Sequence, residues 1–247
     1  MKAIFTTPLI LASLLLPSLA QTAAPEADTV VEKKAEVLLA KGNSWTYDVT
    51  LTIPKDLDFK PEFDVPGEIT PRGMVYKFSE KQVSNGPQPI ESLKADVPVI
   101  DIFIENKLKK KQVLNYTNDQ LHYHGTFMNN AEDPTKKVGF ITIVPIVLYN
   151  KVAKIGDKWS WTTEKMPRFE FRVVSKNTKI EILGKTYITD KIRMDRIDKT
   201  TSNTLVSKEY WFAEGIGIVK EQEKKYISRD QAIVKTLELK EFKKAIK

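Results

Sequence analysis

The chain has 247 residues, 41% hydrophobic and 29% charged, with 39 lysines and arginines against 32 acidic residues for a net charge of +7. No cysteine is present, which excludes a disulfide framework and a thiol near the N-terminus that would carry a lipid. A chain of this length buries a core unaided, and one large domain or two coupled halves both fit.

The first residues, MKAIFTTPLILASLLLPSLA, combine Lys2, an apolar run from Ile10 to Leu16, the helix-ending Pro17, and the small residues Ser18 and Ala20 at the positions a signal peptidase reads. This reads as a secretory signal covering 1–20, with cleavage after Ala20 leaving Gln21 at the N-terminus. No later stretch approaches the roughly 20 apolar residues of a spanning helix, so the mature chain is expected to be soluble, without a transmembrane segment, and periplasmic or secreted. Loss of Lys2 lowers the net charge from +7 to +6, with both signs spread along the chain. Export argues against nucleic acid as a partner.

After a polar leader at 21–27, DTVVEKKAEVLLAK places Val31, Ala35, Leu38 and Leu39 at helical spacing, with Asp28 as cap and Gly42 as terminator; one amphipathic helix is expected over 28–41. From there the period becomes two. In SWTYDVTLTI the residues Trp45, Tyr47, Val49, Leu51 and Ile53 fall on one face and Thr46, Asp48, Thr50 and Thr52 on the other, as a half-buried strand requires. The segment from Ile53 to Arg72, with Pro54, Pro61, Pro66 and Pro71, has no period and reads as a long loop or flap. IDIFI then sets Ile100, Ile102 and Ile104 on one side.

Lys107, Lys109, Lys110 and Lys111 lie close together between two strand-like segments. They read as a surface basic patch at a hairpin tip, either simply solvated or able to hold an anionic headgroup or acidic partner. His122 and His124, the only histidines, share one side of a strand whose other side carries Leu121, Tyr123 and Phe127. That spacing occurs in metal sites, but no third ligand is recognisable, so a solvent-facing pair and no metal or other cofactor are expected.

GDKWSW at 156–161 repeats GNSWTY at 42–47. In each copy glycine and its neighbour turn the chain into a strand whose aromatic residues go inward. The repeat suggests two pseudo-repeated halves, 28–150 and 151–247, within a single β-rich domain. RFEFRVV sets Phe169, Phe171 and Val173 against Arg168, Glu170 and Arg172, and TKIEIL sets Ile180 and Ile182 inward. In EYWFAEGIGIVKEQ, Tyr210 and Phe212 share one face and Trp211 takes the other; Gly215 supplies the positive φ of a hairpin turn, and Gly217 marks a bulge or close approach.

No nucleophile elbow, phosphate loop, dinucleotide glycine pattern or zinc-protease helix occurs, and no catalytic residue is nominated. A hydrolase using a pair of carboxylates lacks a recognisable motif and ranks third among the functional readings.

Tyr-Trp-Phe-Ala-x-Gly-Ile-Gly-Ile-Val-Lys at 210–220, together with the preceding Gly-Asp-Lys-Trp-Ser-Trp strand and KIEILGKTYITDKIRM, resembles a family of uncharacterised exported bacterial proteins. The resemblance covers about residues 140–225 and reaches the first half through GNSWTY. These proteins are in turn similar to the periplasmic lipoprotein carriers. That likeness implies a mainly β fold, a strongly curved antiparallel sheet or half-barrel, to which the periodicity adds the N-terminal helix. It also implies binding of an apolar or amphiphilic molecule such as a lipid or a lipidated envelope component. Candidate wall residues are Trp45, Tyr47, Trp159, Trp161, Phe169 and Phe171. The alternative is a non-enzymatic assembly protein of the cell envelope, with a filled core and an active surface.

Overall fold

The structure, a computed structural model, describes residues 38–57, 59, 65–117, 119–129, 137–164 and 166–245. The expected signal and leader lie outside the described residues, as does the expected helix apart from its last residues. Of that helix, Leu38 and Leu39 pack against the core, and Gly42, at φ +91°, turns the chain into the first strand.

Thirteen strands form one antiparallel sheet among the described residues. They are β1 (Ser44–Ile53), β2 (Gly67–Thr70), β3 (Gly73–Ile90), β4 (Ala95–Ile104), β5 (Lys107–Thr117), β6 (Gln120–Asn129) and β7 (Lys137–Asn150). There follow β8 (Lys158–Thr163), β9 (Met166–Ile182), β10 (Lys185–Ile197), β11 (Thr204–Ala213), β12 (Gly217–Tyr226) and β13 (Ala232–Lys243). The spatial order is β7-β6-β5-β4-β3-β1-β13-β12-β11-β10-β9-β8, with β2 paired to β3 as a side hairpin. The sheet is thus two consecutive meanders, β1 with β3–β7 and then β8–β13, joined where β1 pairs with β13. The strand that carries each copy of the Trp-x-aromatic motif opens one meander.

Alternation explains the inner face. Trp45, Tyr47, Val49, Leu51 and Ile53 are all between 1% and 8% exposed, as central position in a curved sheet demands. Register shifts in most of the ladders, including β1/β13 at Thr46/Tyr47 and β11/β12 at Trp211/Phe212, add the local bends that curl a sheet. The sheet curls further than a half-barrel and nearly closes. Two apolar clusters fill much of its inside: one around Tyr47, Ile53, Ile102, Val219 and Leu239, the other around Trp161, Phe171, Ile192, Tyr210 and Phe212. A smaller third cluster joins Ile90, Val97, Val99, Val113 and Phe127.

Two expectations need correction. The aperiodic stretch ending at Arg72 contains a real strand, Gly67–Thr70, which pairs with the start of β3. Four residues with Ile69 76% exposed show no burial alternation, so the periodic signal was missing. The tip between β4 and β5 is Glu105-Asn106, both at positive φ (47° and 62°), a pairing suited to a tight hairpin turn; the lysines lie inside β5.

Candidate functional site

The two edge strands of the sheet, β7 and β8, are not among the paired neighbours of the ladder. The second copy of the aromatic motif spans that gap instead. Trp159 Nε1 donates to the Val147 carbonyl at 2.7 Å and Trp161 Nε1 to the Val144 carbonyl at 3.0 Å. Both indoles are backed by β9: Trp159 stacks on Phe171 with ring centroids 5.5 Å apart, and Trp161 meets Phe169 edge-on at 5.7 Å. The first copy does similar work at the other junction. Trp45 Nε1 donates to Ile216 O at 2.6 Å and the Tyr47 hydroxyl to Ile218 O at 2.8 Å, reaching past β13 to the start of β12.

Inside the curve, ionisable side chains interrupt the apolar wall. Glu80 lies opposite Tyr47, Lys235 opposite Leu51, Lys208 opposite Met194, Glu221 opposite Tyr210, and Lys110 opposite Ile102; all therefore stand on the inner face. Lys208 reaches Glu221 at 3.1 Å and Glu223 at 2.5 Å, and Lys235 reaches Glu80 at 2.9 Å. Gln82 Nε2 also donates to Glu80 at 2.9 Å.

Burial pushes Glu80 up, but the Lys235 ammonium and the hydrogen bonds from Lys235 and Gln82 outweigh it and hold the carboxyl below its usual range. Glu223 is held low in the same way by Lys208 against its burial. Burial pushes Lys208 down, and its two glutamates more than reverse this. Lys110 is lowered, first by burial and then by the facing ammoniums of Lys208 and Lys235. Tyr123, from β6, is raised to about 12 by burial, against the field of Lys208 on β11.

Lys208 and its glutamates stand on the neighbouring strands β11 and β12, and Lys235 and Glu80 flank β1; Lys110 on β5 and Tyr123 on β6, which feel the field of Lys208, come from the other meander. Lys208, Glu223 and Lys235 lie deep, yet 24%, 27% and 27% of their side chains remain reachable by water. These inner-face side chains thus combine depth with access to water.

Of the expected wall residues, Trp45, Tyr47, Trp161 and Phe171 are buried and Trp159 and Phe169 half-buried, with Trp161 rather than Trp159 the deeper of the pair. Trp159, Trp161, Phe169 and Phe171 come together in one cluster; Trp45 and Tyr47 belong to the other.

The four lysines of the expected patch divide between faces. Lys111 bonds Asp101 at 2.7 Å, whereas Lys110, one residue earlier, is on the inner face. His122 and His124 are half-buried rather than solvent-facing: His122 Nε2 meets Gln120 Oε1 at 3.1 Å and His124 Nδ1 donates to Thr142 O at 3.2 Å. Among the described residues no group of three or more His, Cys, Asp or Glu is placed to hold a metal ion.

Outside the barrel, an open groove of about 640 Å³ runs over β8–β10, lined by Lys158, Ser160, Glu170, Arg172, Arg193 and Asp195 with the edges of Trp159 and Phe171. Within it Arg193 pairs with Asp195, and Glu170 pairs with Arg168 beside it, each at 3.0 Å.

Sequence reading missed Glu80, Lys208, Glu221, Glu223 and Lys235. The signal was there: a charged residue at an inward position of an apolar alternation, as in Phe78-Glu80, Val206-Lys208-Tyr210 and Ile233-Lys235-Leu237.

No family model and no curated protein matches the sequence. Solved structures similar to it include an exported protein, so assigned provisionally, with a YmcC-like fold from Bacteroides fragilis. It shares 11% identity over 83% of this chain and 96% of its own, at a TM-score of 0.43. A provisionally assigned lipoprotein from Parabacteroides distasonis shares 10% over 83% and 96%, at 0.39. An outer membrane lipoprotein-sorting protein domain from Vibrio parahaemolyticus, likewise provisional, shares 9% over 89% and 92%, at 0.24. Among the described residues no helix is long and apolar enough to cross a membrane.

Proposed function

We propose that the protein is exported and binds an amphiphilic envelope molecule inside its barrel. The observation that carries this reading is the inner face of the sheet, where ionised side chains lying deep keep contact with water beside an aromatic wall. A protein built only for stability gains little from such a place, because buried ion pairs often contribute less than well-packed apolar residues of equal volume. The apolar part of the ligand would lie against Trp159, Trp161, Phe169, Phe171 and Met194, and its polar part among Lys110, Lys208, Lys235 and the glutamates. Trp45 and Tyr47, held by their hydrogen bonds to β12, would serve as fixed wall. The duplicated motif fits two related halves, each opened by a strand that ties one junction of the barrel.

A second reading has one specific observation in its favour. Tyr47, Ile53, Phe171 and Val219 are no more than 2% exposed, the packing of a filled core. On that reading the protein acts by its surface in envelope assembly.

Native mass spectrometry of the protein purified from its own envelope fraction separates the two. A co-purifying mass of lipid size, displaced by a fluorescent fatty-acid probe, is the expected result. Absence of both a bound mass and probe binding would leave the filled-barrel reading.

A further inference from the structure

The polar cluster has a pattern beyond its presence. Its three carboxylates already have partners: Glu221 and Glu223 take Lys208, and Glu80 takes Lys235 and Gln82. Lys110 projects into the same space from β5 and, among the described residues, has no carboxylate within ion-pair distance. The charged groups that face it are Lys208 on β11, Lys235 on β13, Glu80 on β3 and Glu221 and Glu223 on β12. On β10, Arg196 stands one inward position beyond Met194, between Phe169 and Val206, and its Nε is buried with no hydrogen-bond partner among the described residues. Lys208 and Lys235 thus take all three carboxylates, and the two inward cations without one, Lys110 and Arg196, stand beside the apolar and aromatic wall.

We propose that Lys110 receives the anionic head of the bound molecule, so that the ligand class is a carboxylate or phosphate carried on an apolar tail. This rests on the lumen-binding reading above. A partly desolvated ammonium without a counter-ion gains more from an incoming anion than a hydrated surface lysine does, because the field is weakly screened and hydration has already been lost. Lys208 and Lys235 would have to surrender an existing glutamate to do the same. The head is recognised by charge and the tail by burial against Phe169, Phe171 and Met194. The site therefore discriminates against neutral amphiphiles of equal length.

The test uses the mature full-length chain and four probes, dodecanoate, dodecyl phosphate, dodecanol and inorganic phosphate, with binding read by displacement of a fluorescent fatty acid and by mass. The parent should bind at least one anionic dodecyl probe roughly ten- to a hundredfold more tightly than dodecanol, the range expected for a hydrogen bond to a charged group. Lys110→Met should erase that preference, so that dodecanoate and dodecyl phosphate bind the variant no more tightly than dodecanol does, and Lys110→Arg should retain part of it. The tighter of dodecanoate and dodecyl phosphate identifies the head. Dodecanol binding as well as the anions, or Lys110→Met keeping the full preference, overturns the headgroup assignment and leaves lumen binding standing. Inorganic phosphate binding as tightly as dodecyl phosphate removes the tail from the proposal. If the parent binds no dodecyl probe, lumen binding fails and the assignment falls with it. Should Lys110→Met not fold, Lys110→Gln replaces it, and the parent's own anion-over-alcohol ratio remains decisive.

Discussion

The seam between β7 and β8 can be tested by converting Trp159 and Trp161 to phenylalanine, which deletes each indole N–H while keeping an aromatic ring. The net worth of a hydrogen bond is about 1 kcal/mol, and its position decides which end of the range applies. Val144 is 65% exposed, so its carbonyl can take water when the Trp161 donor is lost, and the bond itself should be worth about 0.5 kcal/mol. Val147 is half-buried and its bond shorter, at 2.7 Å, so the Trp159 donor should be worth about 1 to 1.5 kcal/mol.

Ring contraction adds a cavity cost of about 1 kcal/mol at Trp161, which is only 8% exposed. At Trp159 the Phe171 stack survives the change. Each single variant should therefore lose roughly 1 to 2 kcal/mol. The double variant should lose less than the sum, since both bonds hold one seam. Urea unfolding measures the total, and native-state hydrogen exchange measures where it falls. Amides of β7 and β8 should speed up more than those of the β1–β13 junction, by about tenfold for each 1.4 kcal/mol. A double variant whose edge strands exchange at the parental rate would show that the indoles do not hold the barrel shut.

Glu80→Gln should cost about 3 kcal/mol by stranding Lys235, whereas Glu80→Leu with Lys235→Met should cost much less, since replacing a whole buried pair is often neutral; urea midpoints decide it. Glu80 and Glu223 both have folded pKa values below their ordinary value of 4.5, because Lys235 and Lys208 outweigh burial. Their stabilisation is therefore complete above that value and lost as pH falls through the lowered folded values, so melting temperature should drop on acidification below about 4.5, and Glu80→Gln should flatten part of that slope. Gly215, at φ +73° with open space for 4 Å around the place a Cβ would take, should tolerate alanine at a cost of about 1 kcal/mol and valine at more, with the hairpin retained. Gly125→Ala, whose Cβ would stand 2.0 Å from Phe140 O, should be far worse by the same thermal melt.

Alternation by itself determined the mainly β class, the inward set from Trp45 to Ile53, the inward Phe171 and Val173, and the hairpin at Gly215, because a strand's two faces are a property of consecutive residues. Sequence resemblance supplied the expected curvature. Tertiary structure decided how far the sheet closes, since the acceptors for Trp159 and Trp161 lie on β7, and those for Trp45 and Tyr47 at the start of β12, at separations of 12 to 171 residues.

It also decided the polar site. A run of lysines looks like one solvated patch when read as composition. Alternation sends Lys110 and Lys111 to opposite faces, and only the pairing with β4 says which is which: Lys110 lies opposite the inward Ile102, and Lys111 opposite Asp101, with which it pairs. Glu80 and Lys235 are 155 residues apart, and nothing local says that two interruptions of an apolar alternation are each other's partner. Period two tells which face a residue takes; which residues meet across that face depends on strand order and shear, and those exist only once the barrel has formed.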